Sequence, residues 1–295
     1  MVMWGFNVTA TKVLVENFMP VTMTAFRILV SGITVFLILF SIKKVRLLSK
    51  REFSYVFFGG LFNVVIHQYF LSTGLTQTSA TNGGLILGLG PLLTAILAVM
   101  FLGNILTAIR VIGIVLGLAG VSFIVFQGSS EINGVSMGDI YIFISILAQA
   151  ASFILIKKAS ETLDPRLMTG YMLIIGAALL FMISLFVEPQ GLASMANNSI
   201  PLWAVFFASA ILATAIGHMG YNSAIGKVGA AEASMFLNLN PFFSLVGAAI
   251  FLGEKITFVH ILGFILILFG VMFGAGAFEE MYRKHRRKQN MSAAK

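Results

Sequence analysis

The sequence contains no cysteine. Disulfides, thiolate metal sites and a cysteine nucleophile are therefore excluded, and cysteine usage carries no information about redox compartment. Charge is scarce too: Asp, Glu, Lys and Arg make up 10% of the 295 residues, against about a quarter in ordinary soluble domains. So few charges cannot clothe a soluble chain of this length. No GxxxxGK[ST] loop is present for nucleotide phosphates and no HExxH helix for catalytic zinc, and there are only four histidines. The chain reads as a non-enzyme without a cofactor, and ATP hydrolysis is not its energy source.

What is abundant is apolar. Hydrophobic residues reach 58%, with 28 Phe and 29 Gly. Runs of about twenty apolar residues recur between short polar breaks, and each, at about 1.5 Å per residue, is long enough to cross a hydrocarbon core of about 30 Å. The reading is an all-α polytopic membrane protein with ten spans, at 1 to 14, 20 to 42, 53 to 72, 80 to 101, 106 to 127, 138 to 157, 166 to 187, 201 to 221, 230 to 252 and 257 to 278. The first span reaches only about 21 Å, so a native start upstream of Met1 is expected. A secretory signal is disfavoured because no basic segment precedes the apolar stretch.

The formal charge of +8 is not a nucleic-acid footprint. Most basic residues lie in Lys43 to Glu52 and in the tail Tyr282 to Asn290, the distribution expected of cytoplasmic loops. Lys157, Lys158, Arg166 and Lys227 then fall on the same side, with Lys12 and Lys255 opposite. Both termini are read as cytoplasmic, in the plasma membrane, with anionic lipid headgroups as partners of the tail.

An internal repeat organises the chain. Ser79 to Asn104 aligns without a gap to Gly229 to Glu254, and an offset of 150 residues pairs Pro91 with Pro241, Gly103 with Gly253, Gly113 with Gly263 and Gly120 with Gly270. The units are residues 1–127 and 138–278, followed by a basic tail at 279–295. Five helices per unit is an odd number, so the second copy enters the membrane from the opposite side, as in the inverted repeats of many secondary transporters.

With this architecture in place, WGFNVTATK (Trp4 to Lys12), TAFRILVSG (Thr24 to Gly32), TGLTQTSAT (Thr73 to Thr81), YNSAIGKVGAAEAS (Tyr221 to Ser234) and LNPFFSLVGAAIFLGE (ending at Glu254) resemble the drug/metabolite transporter superfamily, specifically its EamA-type ten-helix members. The resemblance spans nearly the whole chain. It implies an inner-membrane carrier of small metabolites, commonly an exporter, with a central cavity between the third, fourth, eighth and ninth helices and parts of the first and sixth. Amino acids and related amphipathic compounds are the leading substrate class, a multidrug or cation exporter is the alternative, and a channel-like facilitator stands further off. In the first half the usual LGE motif reads LGN, with Asn104 in the acidic position.

Polar residues inside apolar spans are the candidate site. Pro91 and Pro241 lack an N–H, which frees the carbonyls of Leu87 and Leu237, and a freed carbonyl in a membrane must find another partner. Asn238 and Asn240 precede Pro241, and Asn240 lies about 15 Å into its helix, near the midplane. Substrate contact and simple satisfaction of the freed carbonyls both fit these amides. His67 with Gln68, and His218 with Tyr221 and Asn222, occupy corresponding regions of the two halves. Asn7 and Gln149 are further polar groups, Asn7 being the repeat mate of Ser152. Cavity lining and helix-to-helix hydrogen bonding both fit them. Glu232 near the start of the ninth helix is read as an acid stabilised by the helix dipole, with proton coupling as its functional reading. Arg27, about 10 Å into its helix, is assigned to snorkelling or structural pairing in preference to attracting an anionic substrate.

Overall fold

The computed structural model describes residues 1–103, 107–127, 136–196 and 198–274, without the side chains of 124–127, 231, 232, 235 and 238. The basic tail, the centre of the linker and Asn104 lie outside these residues. Every regular element among the described residues is helical. In chain order the main helices are α1 (Val2–Asn17), α2 (Pro20–Ser41), α3 (Lys50–Gln77), α4 (Ala80–Leu102), α5 (Ala108–Gln127), α6 (Met137–Ala159), α7 (Pro165–Val187), α8 (Ile200–Val228), α9 (Leu239–Leu252) and α10 (Phe258–Gly274). A short helix at Ala230–Ser234 and a tight 3-10 turn at Met235–Asn238 lead into α9. Six of them, α2, α3, α4, α6, α7 and α8, are long and apolar enough to cross a membrane. This is the architecture of a polytopic membrane protein.

The helix ends follow from local chemistry. Ser49 and Glu52 form a reciprocal capping box at the start of α3, and Arg46 holds both Glu52 oxygens at 2.9 and 2.5 Å. Pro20 and Pro165 open α2 and α7, where their missing N–H costs nothing. Asp164 caps α7, and its hydrogen bonds with the Arg166 guanidinium hold its carboxyl below the usual range. Two carboxylates cap helices to which they do not belong. Glu188 accepts from the N–H groups of Val21 and Thr22 at 2.9 and 2.7 Å, and Glu254 accepts from those of Ala80 and Thr81, both at 2.9 Å. Glu254 can reach back because Gly253 takes φ +67°, the left-handed conformation that glycine adopts without strain, and Gly103 takes φ +72° at the corresponding end of α4.

Packing follows the small residues. The partners α5 and α10 meet along glycines: a Cβ on Gly113 would collide with the backbone of Gly274 and Gly270, and one on Gly120 would lie 3.0 Å from the Gly263 carbonyl. Such close approach substitutes for the hydrophobic driving force that lipid removes. Similarly, α2 packs on α7, α3 on α6 and α7, α8 on α1 and α2, and α9 on α1 and α4. Two apolar clusters result. One, including Leu39, Val64, Met168 and Leu173, holds α2, α3 and α7; the other, including Leu14, Leu85, Leu92, Ile142 and Val271, joins α1, α4, α6 and α10.

Four helices are not regular along their length. In α3 the segment Leu61–Ile66, and in α8 the segment Ser209–Ile216, widen into π-helix. In α4 the helix breaks at Gly88 and Leu89 just before Pro91, and the 3-10 turn ahead of α9 ends just before Pro241. The two breaks adjoin: a Cβ on Gly88 would lie 2.6 Å from Cγ of Pro241.

Two outcomes are expected. Glu254→Ala should destabilise the protein in detergent by about 1–3 kcal/mol, since two buried-end N–H groups lose a charged acceptor, with Glu254→Gln intermediate in thermal unfolding. Gly270→Leu should lower the unfolding temperature more than Leu substitution at Gly253, whose hypothetical Cβ meets nothing within 4 Å, although φ +67° there carries its own strain.

Candidate functional site

The four irregular helices converge on one cavity of about 60 Å³, roughly five water-sized groups. It is lined by Asn7, His67, Gln68, Gln149, His218 and Asn240 among the residues singled out in the sequence, with Trp4, Thr11 and Thr214 adding polar groups and Leu71, Leu87, Ile146 and Leu237 adding apolar wall. His67 directly follows one π-helical segment, and His218 stands two residues beyond the end of the other, so the local widening presents each ring to the interior. π-helical turns of this kind occur frequently at functional sites.

Widening a helix strands carbonyls, and side chains from neighbouring helices or from the same turn take them. Trp4 Nε1 donates to Ala213 O at 2.7 Å, Ser31 Oγ to Ala210 O at 2.8 Å and Thr214 Oγ1 to Ser209 O at 3.0 Å. At the end of the other π segment, Ser145 Oγ donates to His67 O at 2.8 Å. The His67 ring is fixed from both sides: Nδ1 lies 2.7 Å from Ser145 Oγ and Nε2 lies 2.9 Å from Gln149 Nε2. With the His67 proton on Nδ1, Gln149 donates to Nε2 and its Oε1 is left for the cavity. The His218 ring stacks at a tilt on Trp4, with centroids 4.9 Å apart.

Contacts around the cavity come in pairs. Asn7 on α1 accepts from Ser209 on α8 at 2.5 Å, while Asn63 on α3 donates to Ser152 on α6 at 2.7 Å. Trp4 on α1 meets His218 on α8, while Gln149 on α6 meets His67 on α3.

Not every candidate faces this space. Tyr221 is buried between Trp4 and Phe153, at centroid distances of 5.0 and 5.1 Å, and Asn222 donates to Thr169 Oγ1 on α7 at 2.9 Å. Neither lines the cavity. The side chains of Glu232 and Asn238 lie outside the described set. Asn240 lines the cavity with its Oδ1 buried and without a partner.

Arg27 departs from the snorkelling expectation. It is 1% exposed and points into the protein, donating to Gln68 Oε1 at 2.7 Å, Thr214 Oγ1 at 3.0 Å and Ser209 Oγ at 3.2 Å. Among the described residues no carboxylate is its partner, and its Nε is buried without one. Burial of an unneutralised cation costs several kcal/mol. Its presence in an apolar run is the sequence signal for it, whereas Trp4, Ser145 and Ser209 look like ordinary helix residues in sequence.

Gly134 to Gly138 matches GxSxG, the pattern that carries the serine nucleophile of many hydrolases. Here the serine is engaged as a cap: Ser136 Oγ accepts from Gly138 N at 3.1 Å and donates to Gln77 O at 2.9 Å. Among the described residues, no three His, Asp or Glu side chains converge to hold a metal.

Comparison with known proteins places the chain among helical membrane transporters. The profile of the EamA-like transporter family matches residues 1–126 and 136–274. The chain is 31% identical over 278 residues to YyaM of Bacillus subtilis, described as an uncharacterized transporter, covering 92% of this chain and 90% of that protein. It is 25% identical over 268 residues to an uncharacterized transporter of Archaeoglobus fulgidus, covering 91% and 93%. A solved crystal structure matches with a TM-score of 0.67 over 92% of this chain and 94% of the other, and its 14% identity speaks to fold alone. With a family profile covering nearly all of the described residues, the chain belongs to the EamA-like transporter family.

Proposed function

We propose that the protein is a ten-span secondary transporter that moves a small amphipathic metabolite across the cytoplasmic membrane by alternating access, in the export direction, with both termini cytoplasmic. The carrying observation is the cavity lined by amide and imidazole groups where four interrupted helices meet, the arrangement that midplane sites of inverted-repeat carriers use. The paired contacts support the repeat. Asn7 and Ser152 are 145 residues apart, Asn63 and Ser209 are 146 apart, and His67 and His218 are 151 apart. The Asn–Ser bond and the contact to the histidine ring on one side of the cavity therefore each have a counterpart on the other at nearly one offset. The two separate stretches matched by the family profile support the same division.

Amino acids and related compounds remain the leading substrate class. The cavity combines amide and imidazole groups with the Trp4 ring and aliphatic wall, which suits a small molecule with a polar head and a modest apolar part. A drug-like cation is less well matched, because no described carboxylate lines the cavity. Glu232 is the candidate for proton coupling.

Counterflow in proteoliposomes tests this reading. Preloaded substrate should accelerate uptake of labelled substrate, and Asn240→Ala and His218→Ala should each lower the initial rate about tenfold, the loss of one good hydrogen bond or ring contact at the site. Saturable trans-acceleration that is unchanged in both folded variants would sink the site assignment, and unsaturable flux without trans-acceleration would favour a channel. Loss of proton dependence in Glu232→Gln alone would assign coupling to that carboxylate. Because the chain has no native cysteine, single cysteines give a clean accessibility test. Gln149→Cys should react with a small water-soluble thiol reagent, whereas Phe153→Cys, one turn away and fully buried, should not.

A further inference from the structure

A guanidinium can only donate hydrogen bonds, so Arg27 sets the polarity of every group it touches. Gln68 must turn Oε1 toward it, at 2.7 Å. The amide nitrogen of Gln68 is thereby directed elsewhere, and Gln68 lines the cavity. Ser209 Oγ accepts from Arg27 and passes its single proton to Asn7 Oδ1 at 2.5 Å. Asn7 also lines the cavity, and with its Oδ1 turned to Ser209 its Nδ2 is the donor left to offer. Thr214 Oγ1, the third acceptor, sends its proton to the Ser209 carbonyl. One wall of the cavity thus carries amide donors, with a full positive charge behind them.

Among the described residues that charge has no counterion bonded to it. Arg27 donates only to neutral oxygens, and it does not itself line the cavity. A cation buried this deeply is tolerated best when an opposite charge arrives beside it.

We propose that the Gln68 and Asn7 wall is a subsite for an anionic group of the transported molecule, a carboxylate, which accepts from the two amides and is neutralised by Arg27 acting through them. Arg27 is on this account a positioning residue that orients the donors and supplies the field. The proposal rests on the transport reading of the cavity and specifies the end of the substrate that this wall recognises. A purely structural Arg27, tying α2 to α3 and α8, would leave discrimination between charged and neutral ligands untouched.

Gln68→Glu separates the two roles. It keeps the shape of the side chain and the bond to Arg27, while giving the guanidinium an internal counter-charge and placing a negative charge on the wall. The chain has two tryptophans. In a Trp203→Phe background, Trp4 on the cavity wall is left as the fluorescent reporter. The full chain in lipid nanodiscs is titrated with L-alanine, L-alaninamide, lactate and lactamide, two carboxylates with uncharged-carboxamide partners of nearly the same size.

The expected result is saturable Trp4 quenching or shift with the carboxylates in the parent. In Gln68→Glu their affinity falls about tenfold or more by like-charge repulsion, while that of the carboxamides changes by less than about twofold. Asn7→Asp on α1 should shift the ratio the same way, and serves if Gln68→Glu does not fold. Equal losses for acid and amide, an unchanged ratio in a folded variant, or no response of the parent to either carboxylate would overturn the proposal. If the acid preference holds in the titration but no compound shows counterflow, the transport reading fails and the anionic subsite stands. Counterflow with equal rates for acid and amide would instead uphold transport and overturn the anionic subsite.

Discussion

In a hydrocarbon environment, a backbone N–H or C=O that leaves the helical ladder must find a partner inside the protein, because no water is there to supply one. This constraint explains several of the polar side chains in the interior. The π segments of α3 and α8 displace carbonyls from their regular partners. Trp4, Ser31, Ser145 and Thr214 answer them. Glu188 and Glu254 answer the open N-termini of α2 and α4 in the same way, across helix boundaries. Each of these irregularities is thus also a tether between helices, which is why the broken segments sit where several helices meet.

The same constraint shapes the cavity. Once a helix is widened or broken, groups on either side of the break point inward, and polar side chains brought in for repair are also available to a ligand. Arg27 carries this furthest. It bonds oxygens on α3 and α8, orders their neighbours through a chain of hydroxyls and amides, and leaves a positive field that no acid among the described residues bonds to. Glycines make the geometry attainable by letting α5 approach α10, and by letting the break in α4 adjoin the one ahead of α9.

Much of the helical layout was legible in the sequence, since twenty-residue apolar runs need only a local reading. The ends were less so. The third and eighth spans were expected at 53 to 72 and 201 to 221, whereas the helices run over Lys50–Gln77 and Ile200–Val228. Their C-terminal turns, Thr73 to Gln77 and Asn222 to Lys227, are polar enough to leave the hydropathy window yet remain good helix. Within the site, His67, Gln68, Gln149, His218, Asn7 and Asn240 stood out because polar groups in apolar runs are expensive, and the cavity gathers them. Tyr221 and Asn222 carried the same signal and face other helices instead. Polarity announces that a partner is needed but not which partner.

By itself the sequence determined the class of the molecule, an all-helical membrane chain of scarce charge, because partition between water and lipid depends on composition along one dimension. It also marked the two prolines where helices cannot continue. Only the tertiary structure decided that α3 and α8 widen, that Glu254 caps α4, and that Arg27 faces Gln68, Thr214 and Ser209 in place of the bilayer surface. Those outcomes join residues between about forty and nearly two hundred positions apart, and such pairings are set by how closely packed helices can satisfy one another's stranded polar groups.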